Sequence, residues 1–463
     1  MKKYGIIAAI VVVLAAVVLC VKCLGGNKDV ASSLPQDLTM VGRMDLKSMA
    51  LQYGLDIKDA SKIIGRMLHS SSDDETGVDF MHPSYVFASQ GCFGAIVPLD
   101  DATEFEEYLT KNGNCQFESQ RGLRWALLGE KNVLLGVAKD RAMLMGPAVG
   151  SQLDALRGTI AECLKQEESN SGKQSPLYAM LDKRKEPLVL ATSFEALPQQ
   201  FQPEKLRKEF DMSKLRALAG LSITKSKVGL SLSLESDDKK TNNLFDSLDE
   251  AFQPINGSLL KTAPNKSMAH VLMGVKGEKL LDLLRSIPDI RTKLLFANTI
   301  FDADLILKSI EGDVALSYSK DFIMSQEKYL LQTQLKNERF LNNVDSWNDE
   351  LSEAAGLKFI TSDNKSGIIQ HKDKSPKYYA VKDHVLRLSE NKDLANAEAH
   401  NDVAFAWEKE LKDNRLYATI DASKILLLKI YLGNLKYITL SMPEARQWNL
   451  ELKAEDGKEL IKF

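Results

Sequence analysis

The longest apolar segment of the sequence, residues 4–21, lies close to the N-terminus and contains no charged residue. Lys2 and Lys3 precede it and Lys22 follows it. A helix of this length extends about 27 Å, which is close to the about 30 Å thickness of a bilayer's hydrocarbon core. The pattern predicts a transmembrane signal anchor over residues 1–22 in the inner membrane, with the lysine pair in the cytoplasm and the bulk of the chain in the periplasm. Residues 23–33 are small and polar, which is typical of a flexible tether.

Two other interpretations of the N-terminal segment stay open at the level of sequence. A cleaved secretory signal has a shorter apolar region, about 7–15 residues, followed closely by a pair of small residues. A lipoprotein signal would place a lipid on Cys20 or Cys23, but Leu19 and Lys22 stand before them where a small residue is expected. Cys20 and Cys23 are therefore candidate lipidation sites, and a lipoprotein is the alternative localisation.

Beyond the tether, patterns typical of strands and of helices alternate along the chain. Residues 85–99 predict a hairpin that turns at Gln90 and Gly91. Asp100 or Asp101 then stands where a side chain caps the N-terminus of a helix. Short strands and amphipathic helices in this order predict an α+β fold with antiparallel strands.

A second hairpin, residues 215–235, contains the clearest alternation of apolar and polar residues. Val228, Leu230, Leu232 and Leu234 alternate with glycine and serine along one strand. Because successive side chains of a strand point to opposite faces, we expect these four residues to face a core.

The order of predicted elements recurs in the second part of the sequence. The matching segments are 35–45 and 264–286, 93–109 and 329–347, 125–145 and 367–388, 176–192 and 403–420, and 215–235 and 436–453. A fixed order of elements that occurs twice is the signature of an internal repeat. We therefore predict two related halves, residues 34–255 and 256–463.

Composition and charge describe an ordinary globular chain. Of the 463 residues, 27% are charged and 44% are hydrophobic, and the formal net charge is −3. The basic residues are not clustered, so nothing predicts a nucleic-acid-binding surface. Of the cysteines beyond the anchor, Cys92 and Cys115 could form a disulfide if their strands are neighbours. The alternative is that these two and Cys163 behave as small apolar residues.

No local motif for catalysis, cofactor binding or metal binding is present in the sequence. The six histidines are scattered, and the sequence contains neither a Gly-x-Ser-x-Gly elbow nor a phosphate-binding loop. The acidic residues 73–75 are better explained as a solvated loop than as a cation site. The apolar segment 425–432 predicts burial or, alternatively, a surface for an apolar partner.

Several short segments resemble a known family when they are taken in order. They are 34–37 (LPQD), 77–80 (GVDF), 83–87 (PSYVF), 141–146 (RAMLMG) and 310–316 (IEGDVAL). Together they resemble an uncharacterised family of Bacteroidota cell-envelope proteins that is catalogued as a domain of unknown function. The resemblance implies an envelope location and, since members are usually lipoproteins, a lipid anchor. It implies no catalytic residue.

These observations favour a non-catalytic binding or scaffolding module, anchored to the membrane through its N-terminal helix, without cofactor or metal. The expected partner is another envelope protein or an apolar ligand. The alternative is an envelope hydrolase or transferase with its site in a cleft between the halves, because an active site assembled from distant residues leaves no local motif.

Overall fold

A computed structural model describes residues 29–54, 76–113, 115–128, 132–148, 150–197, 211–265, 267–299, 302–321, 326–344, 357–363, 365–371, 374–396, 405–425, 428 and 433–460. The predicted anchor, with Cys20 and Cys23, lies outside these residues, as do the acidic residues 73–75 and most of segment 425–432. In the part of the chain that the structure describes, no helix is long and apolar enough to cross a membrane.

The described chain divides into two compact units. The first unit ends at Asp238, and the second is Lys239–Leu460. Each unit contains an antiparallel sheet with helices packed on it, which confirms the predicted combination of antiparallel strands and helices.

Unit 1 contains ten described strands. They are β1 (Leu38–Met44), β2 (Ser84–Ser89), β3 (Cys92–Pro98), β4 (Glu118–Gln120), β5 (Leu123–Leu128), β6 (Val133–Val137), β7 (Arg141–Gly146), β8 (Leu188–Ser193), β9 (Leu215–Ile223) and β10 (Lys227–Ser236). Their hydrogen-bonded order is β4-β5-β6-β7-β3-β2-β1-β8-β9-β10, and every pair is antiparallel.

The helices of unit 1 are α1 (Leu46–Tyr53), α2 (Ala102–Gly113), α3 (Leu153–Lys165) and α4 (Pro176–Asp182). Short polar side chains define where they begin. Asp45 accepts the amide of Ser48 at 2.8 Å, and Ser175 accepts the amide of Tyr178 at 3.1 Å. Each cap satisfies an amide that the first helical turn leaves without a partner.

Two hydrophobic clusters form the core of unit 1. One contains Phe87 and Ile96 of the sheet together with Ile160 of α3 and Leu181 of α4. The other contains strand residues such as Val97 together with Phe105 of α2. Helices from different parts of the chain therefore cover the sheet.

Unit 2 contains eleven described strands. They are β11 (Phe252–Gln253), β12 (Ala269–Lys276), β13 (Ile310–Asp321), β14 (Gln326–Leu335), β15 (Leu357–Asp363), β16 (Ser366–His371), β17 (Lys374–Lys382), β18 (Val385–Ser389), β19 (Leu416–Asp421), β20 (Leu435–Glu444) and β21 (Gln447–Ala454). Apart from β11, which pairs with β12, the order is β15-β16-β17-β18-β14-β13-β12-β19-β20-β21.

The helices of unit 2 are α5 (Lys239–Ala251), α6 (Gly277–Ser286), α7 (Pro288–Asn298), α8 (Ala303–Ser309) and α9 (Lys392–Asn396). The 3-10 helices Ser258–Thr262 and Glu408–Leu411 supply Leu259, Leu260 and Leu411 to a cluster with Tyr417 and Leu272 of the sheet.

The ten long strands of each unit follow the same order of pairing. In chain order, the first strand of each unit pairs with the second and with the eighth, and the third pairs with the seventh. The remaining pairs join strands that are neighbours in sequence. The pairing scheme of unit 1 therefore recurs in unit 2.

Candidate functional site

A row of directly paired apolar residues crosses seven strands of unit 2. It consists of Leu450, Leu440, Ala418, Val271, Leu316, Leu331 and Leu388 on β21, β20, β19, β12, β13, β14 and β18. Directly opposite residues of antiparallel strands place their side chains on the same face of the sheet. The seven side chains therefore form one continuous line across that face.

This line is open to solvent in the structure. Leu316 is 38% exposed, Leu440 36% and Leu450 38%, and the other four residues are half-buried. Leu316 belongs to β13, which lies between β12 and β14 inside the sheet. An antiparallel sheet often leaves one face to solvent, but that face normally carries polar residues, so a continuous apolar row there is informative where a single exposed leucine is not.

A second row lies beside the first on the same face, two residues away along each strand. It consists of Leu452, Ile438, Ile420, Ala269, Tyr318 and Tyr329, all of them half-buried. The ammonium of Lys377 lies 4.9 Å from the centre of the Tyr329 ring. We call the two rows together the open face. One of its ends carries a cation held against an aromatic ring.

The size of the open face limits what it can bind. Neighbouring strands are about 4.8 Å apart and alternate residues along a strand about 7 Å apart, so the two rows cover on the order of 300 Å² over a length of about 29 Å. Stable protein interfaces bury about 800 Å² on each partner. The strip is long and narrow, which suits an elongated apolar molecule better than a folded protein.

The corresponding row of unit 1 has two buried small residues, Gly42 and Ala95, among half-buried side chains. It runs through Leu232, Ala219, Leu190, Gly42, Val86, Ala95 and Leu144. A Cβ atom on Gly42 would lie 2.8 Å from Val86 Cγ2 and 3.1 Å from Leu190 Cδ1, so these two side chains meet over the glycine. In unit 2, Val271 of β12 takes the position that Gly42 of β1 has in unit 1. Its partner on β13, Leu316, stays exposed.

The other face of the unit 2 sheet carries a buried polar row. Its members are Thr439, Thr419, His270, Ser317, Leu330 and Ser389. His270 Nδ1 lies 3.0 Å from Ser317 Oγ, and the imidazole ring packs against Phe405 and Trp407 with centroid distances of 4.8 and 5.3 Å. Burial, with the nearby charge of Lys424, lowers the pKa of His270 to about 4.

This serine–histidine pair does not form a hydrolytic site. His270 is only 5% exposed, so a substrate has no access to it. A catalytic histidine also needs a second group that orients its ring, usually a carboxylate. Within the described residues, no carboxylate hydrogen-bonds to His270. The hydrogen bond between His270 and Ser317 belongs to the core of unit 2.

Two cavities of unit 2 are bordered by ion pairs of the described residues. A cavity of about 200 Å³ is bordered by Glu410 and Lys453, whose carboxylate and ammonium are 2.5 Å apart, and Glu410 also accepts the Tyr417 hydroxyl at 2.7 Å. A cavity of about 380 Å³ is bordered by His384, which faces Glu338 at 3.3 Å. Neither set has the arrangement of nucleophile, base and orienting group that catalysis requires.

The family-like segment 77–80 has a structural role. Gly77 has φ +66, and its carbonyl accepts the amides of Asp100 and Asp101 before α2. Asp79 is 2% exposed and its carboxylate lies 2.9 Å from His82 Nδ1. The segment fixes the turn that leads into α2.

The cysteines with predicted roles lie in different environments. Cys115 belongs to the cluster around Phe105, and Cys92 packs against the cluster around Phe87. The structure holds both as thiols, and Cys163 also. Burial raises the pKa of Cys115, and it raises that of Cys163 to about 11. Among the described residues, no group of three or more His, Cys, Asp or Glu could hold a metal ion.

The open face could not be found from local sequence patterns. Leu316 and Leu440 belong to strands that are separated by more than one hundred residues. Their alignment depends on the pairing of β13 with β12, of β12 with β19 and of β19 with β20. The only local signal is the alternation around each leucine.

Comparison with known proteins gives a family but no activity. No curated protein matches the chain. Crystal forms IV and I of TP0453 are similar at 9% and 10% identity with a TM-score of 0.29, and they cover 45% and 46% of this chain and 81% of TP0453. Crystal form III covers 80% of this chain and 97% of TP0453 at 9% identity with a TM-score of 0.18. The model of a family described as Domain of unknown function (DUF4836) matches residues 31–442, and the chain belongs to that family.

Proposed function

We propose that this protein is a non-catalytic binding module of the cell envelope that holds an elongated apolar ligand, such as the acyl chain of a lipid, on the open face of unit 2. The observation that carries the proposal is the line of exposed leucines at Leu316, Leu440 and Leu450. Exposed apolar strips of this size on a soluble surface commonly mark binding sites.

The chemistry of the open face supports an acyl chain. The row through Leu316 contains only aliphatic side chains, so its occupant needs no hydrogen bonds there. Lys377 stands over Tyr329 at one end of the second row, where an ammonium suits an anionic head group. A long molecule with one anionic end therefore matches both the shape and the charge of the strip.

The membrane location and the duplication belong to the same proposal. Residues 1–22 would anchor the chain at the inner membrane, or Cys20 or Cys23 would carry a lipid instead, with both units in the periplasm. The shared pairing scheme supports descent of both units from one duplicated unit.

Photolabelling tests the proposed ligand site. The full chain in lipid nanodiscs is incubated with a fatty acid that carries a photoreactive diazirine, and the labelled peptides are identified by mass spectrometry. We expect label on β13, β20 and β21. Leu440→Asp places a charge in the row, next to Leu450, and is expected to reduce this label at least tenfold.

The matched control is Leu51→Asp, since Leu51 is 55% exposed on α1 and belongs to neither row. It should leave the labelling of the three strands unchanged. Leu440 is 36% exposed and aspartate is unfavourable within a strand, so Leu440→Asp is expected to lower the thermal midpoint. Both variants are therefore labelled at a temperature at which circular dichroism shows them folded. Labelling that is equal in the parent and in Leu440→Asp would overturn the proposal.

A further inference from the structure

Helix α7 has no buried residue, although it carries several apolar side chains. Leu295 is 64% exposed and Phe296 67% exposed. Among the described residues, no large apolar side chain is more exposed than Phe296. These two adjacent residues form an apolar surface that no other residue described by the structure covers.

The outward side of α7 has a definite arrangement. Residues of a helix follow one another at about 100° around its axis, so Leu295 lies about 60° to one side of Thr292 and Phe296 about 40° to the other. By the same count, the half-buried side chains of Ile290, Leu294 and Ala297 lie on the opposite side of the helix. That side faces α6 and α8, on which α7 packs.

Basic residues border the outward side. Arg291 and Lys293 lie about 100° from Thr292 in opposite directions, so each stands next to one of the two exposed apolar side chains. Both are exposed, and neither forms an ion pair with another described residue. The nearby Arg285 differs, because it is paired with Asp304.

One acidic residue, Asp289, also lies on α7. It stands in the first helical turn, where a carboxylate complements the positive end of the helix dipole. It is seven residues from Phe296, which corresponds to about 10 Å along the helix axis. By the helical count Asp289 lies on the side of Phe296 and four residues before Lys293, so it offsets part of the charge of Lys293. The net charge of Asp289, Arg291 and Lys293 together is positive.

We propose that the outward side of α7 inserts Leu295 and Phe296 into the surface of a bilayer that contains anionic lipid. The opposite side of α7 is apolar too and packs on protein, so only Leu295 and Phe296 would enter the bilayer surface. Lysine and arginine beside such side chains are typical of protein segments that contact membranes. A protein partner would have to neutralise two cations around a contact of only two apolar side chains, far below the area of a stable interface. Cations next to an apolar surface are the charge complement of anionic head groups.

This contact is separate from the open face of the sheet. It makes no use of Leu316, Leu440 or Leu450, and a bilayer rather than a single lipid is its partner. Two side chains alone bind a membrane weakly and reversibly. On a chain that is also anchored, the contact becomes intramolecular, so a weak affinity is sufficient.

The experiment places a photoreactive p-benzoylphenylalanine at position 296 of the full chain, and in a matched control at position 127. Leu127 is 51% exposed on β5 of unit 1. Each protein is reconstituted in vesicles of phosphatidylcholine with or without 30% phosphatidylglycerol as the anionic lipid. Flotation selects the bound protein, and mass spectrometry identifies the adducts after irradiation.

We expect at least fivefold more lipid adduct at position 296 than at position 127 in the anionic vesicles. The double variant Arg291→Ser with Lys293→Ser should reduce the adduct at position 296 at least threefold, as should omission of the anionic lipid. Leu440→Asp should not change it, which separates this contact from the ligand site. Equal lipid adducts at both positions, or an adduct to a second copy of the chain in place of lipid, would overturn the proposal.

Discussion

The carboxylate of Asp313 accepts a hydrogen bond from the amide of Gly257 at 2.7 Å, although 56 residues separate them. Its other oxygen accepts the amide of Asn256 at 3.1 Å. Asp313 is 1% exposed, and Gly257 has φ +77. The 3-10 helix that follows brings Leu259 and Leu260 into the core. Asp313 therefore holds the backbone turn that positions these two leucines.

Replacing Asp313 by alanine tests this role. The variant removes the buried acceptor of two backbone amides, those of the exposed Asn256 and the half-buried Gly257, and we expect the free energy of unfolding to fall by about 2 kcal/mol. Urea denaturation followed by circular dichroism measures the change. Asp313→Asn retains one acceptor oxygen, so its free energy of unfolding should fall less than that of Asp313→Ala.

The control for this prediction is Asp101→Ala. Asp101 also accepts two backbone amides, those of Thr103 at 2.7 Å and Glu104 at 3.1 Å, but it is exposed. Water replaces the missing acceptor at this exposed site, so the free energy of unfolding should fall clearly less than in Asp313→Ala. Equal losses in the two alanine variants would contradict the role given to Asp313.

The buried His270 makes the stability of unit 2 depend on pH. Its pKa is about 4 in the folded chain and 6.5 as the ordinary value. Between these values the unfolded chain binds the proton and the folded chain does not. The free energy of unfolding therefore falls as the pH is lowered from about 6.5 to about 4, by up to about 3 kcal/mol.

We expect His270→Gln to flatten this dependence. The difference between the urea midpoints at pH 7 and pH 4.5 should be smaller in the variant than in the parent. The variant has to be compared with the parent at both pH values, because the parent contains a second pH-dependent contribution. Burial raises the pKa of Asp313, which makes the free energy of unfolding rise, rather than fall, as the pH is lowered. A variant His270→Gln with the parent's full dependence would contradict this assignment.

Local features of the fold were predictable because they depend on neighbouring residues. The hairpin at Gln90 and Gly91 has φ +50 and +79 at these positions, as a two-residue turn of this type requires. Asp101 rather than Asp100 caps α2, and both had been proposed from the sequence. In each case the determining contacts span only a few residues.

The depth of burial was less predictable. Val228, Leu230, Leu232 and Leu234 were expected to face a core, but all four are only half-buried. Alternation in a strand shows which side chains share a face, and it contains no information about what covers that face. The open face of unit 2 was missed for the same reason, since its exposure depends on how seven distant strands align.

The last prediction concerns the close approach of two backbone segments at Gly274 on β12. A Cβ atom there would lie 2.1 Å from the carbonyl oxygen of Gln253, its partner on β11. Gly274→Ala must push β11 away from the sheet, and we expect the free energy of unfolding to fall by about 3 kcal/mol. The control is Gly158→Ala, since a Cβ on Gly158 of α3 would meet nothing within 4 Å. That change should raise the free energy of unfolding by about 0.5–1 kcal/mol, because alanine favours the helix. Urea denaturation of both variants measures the two changes, and a Gly274→Ala protein as stable as the parent would show that β11 pairs with β12 more loosely than the structure has it.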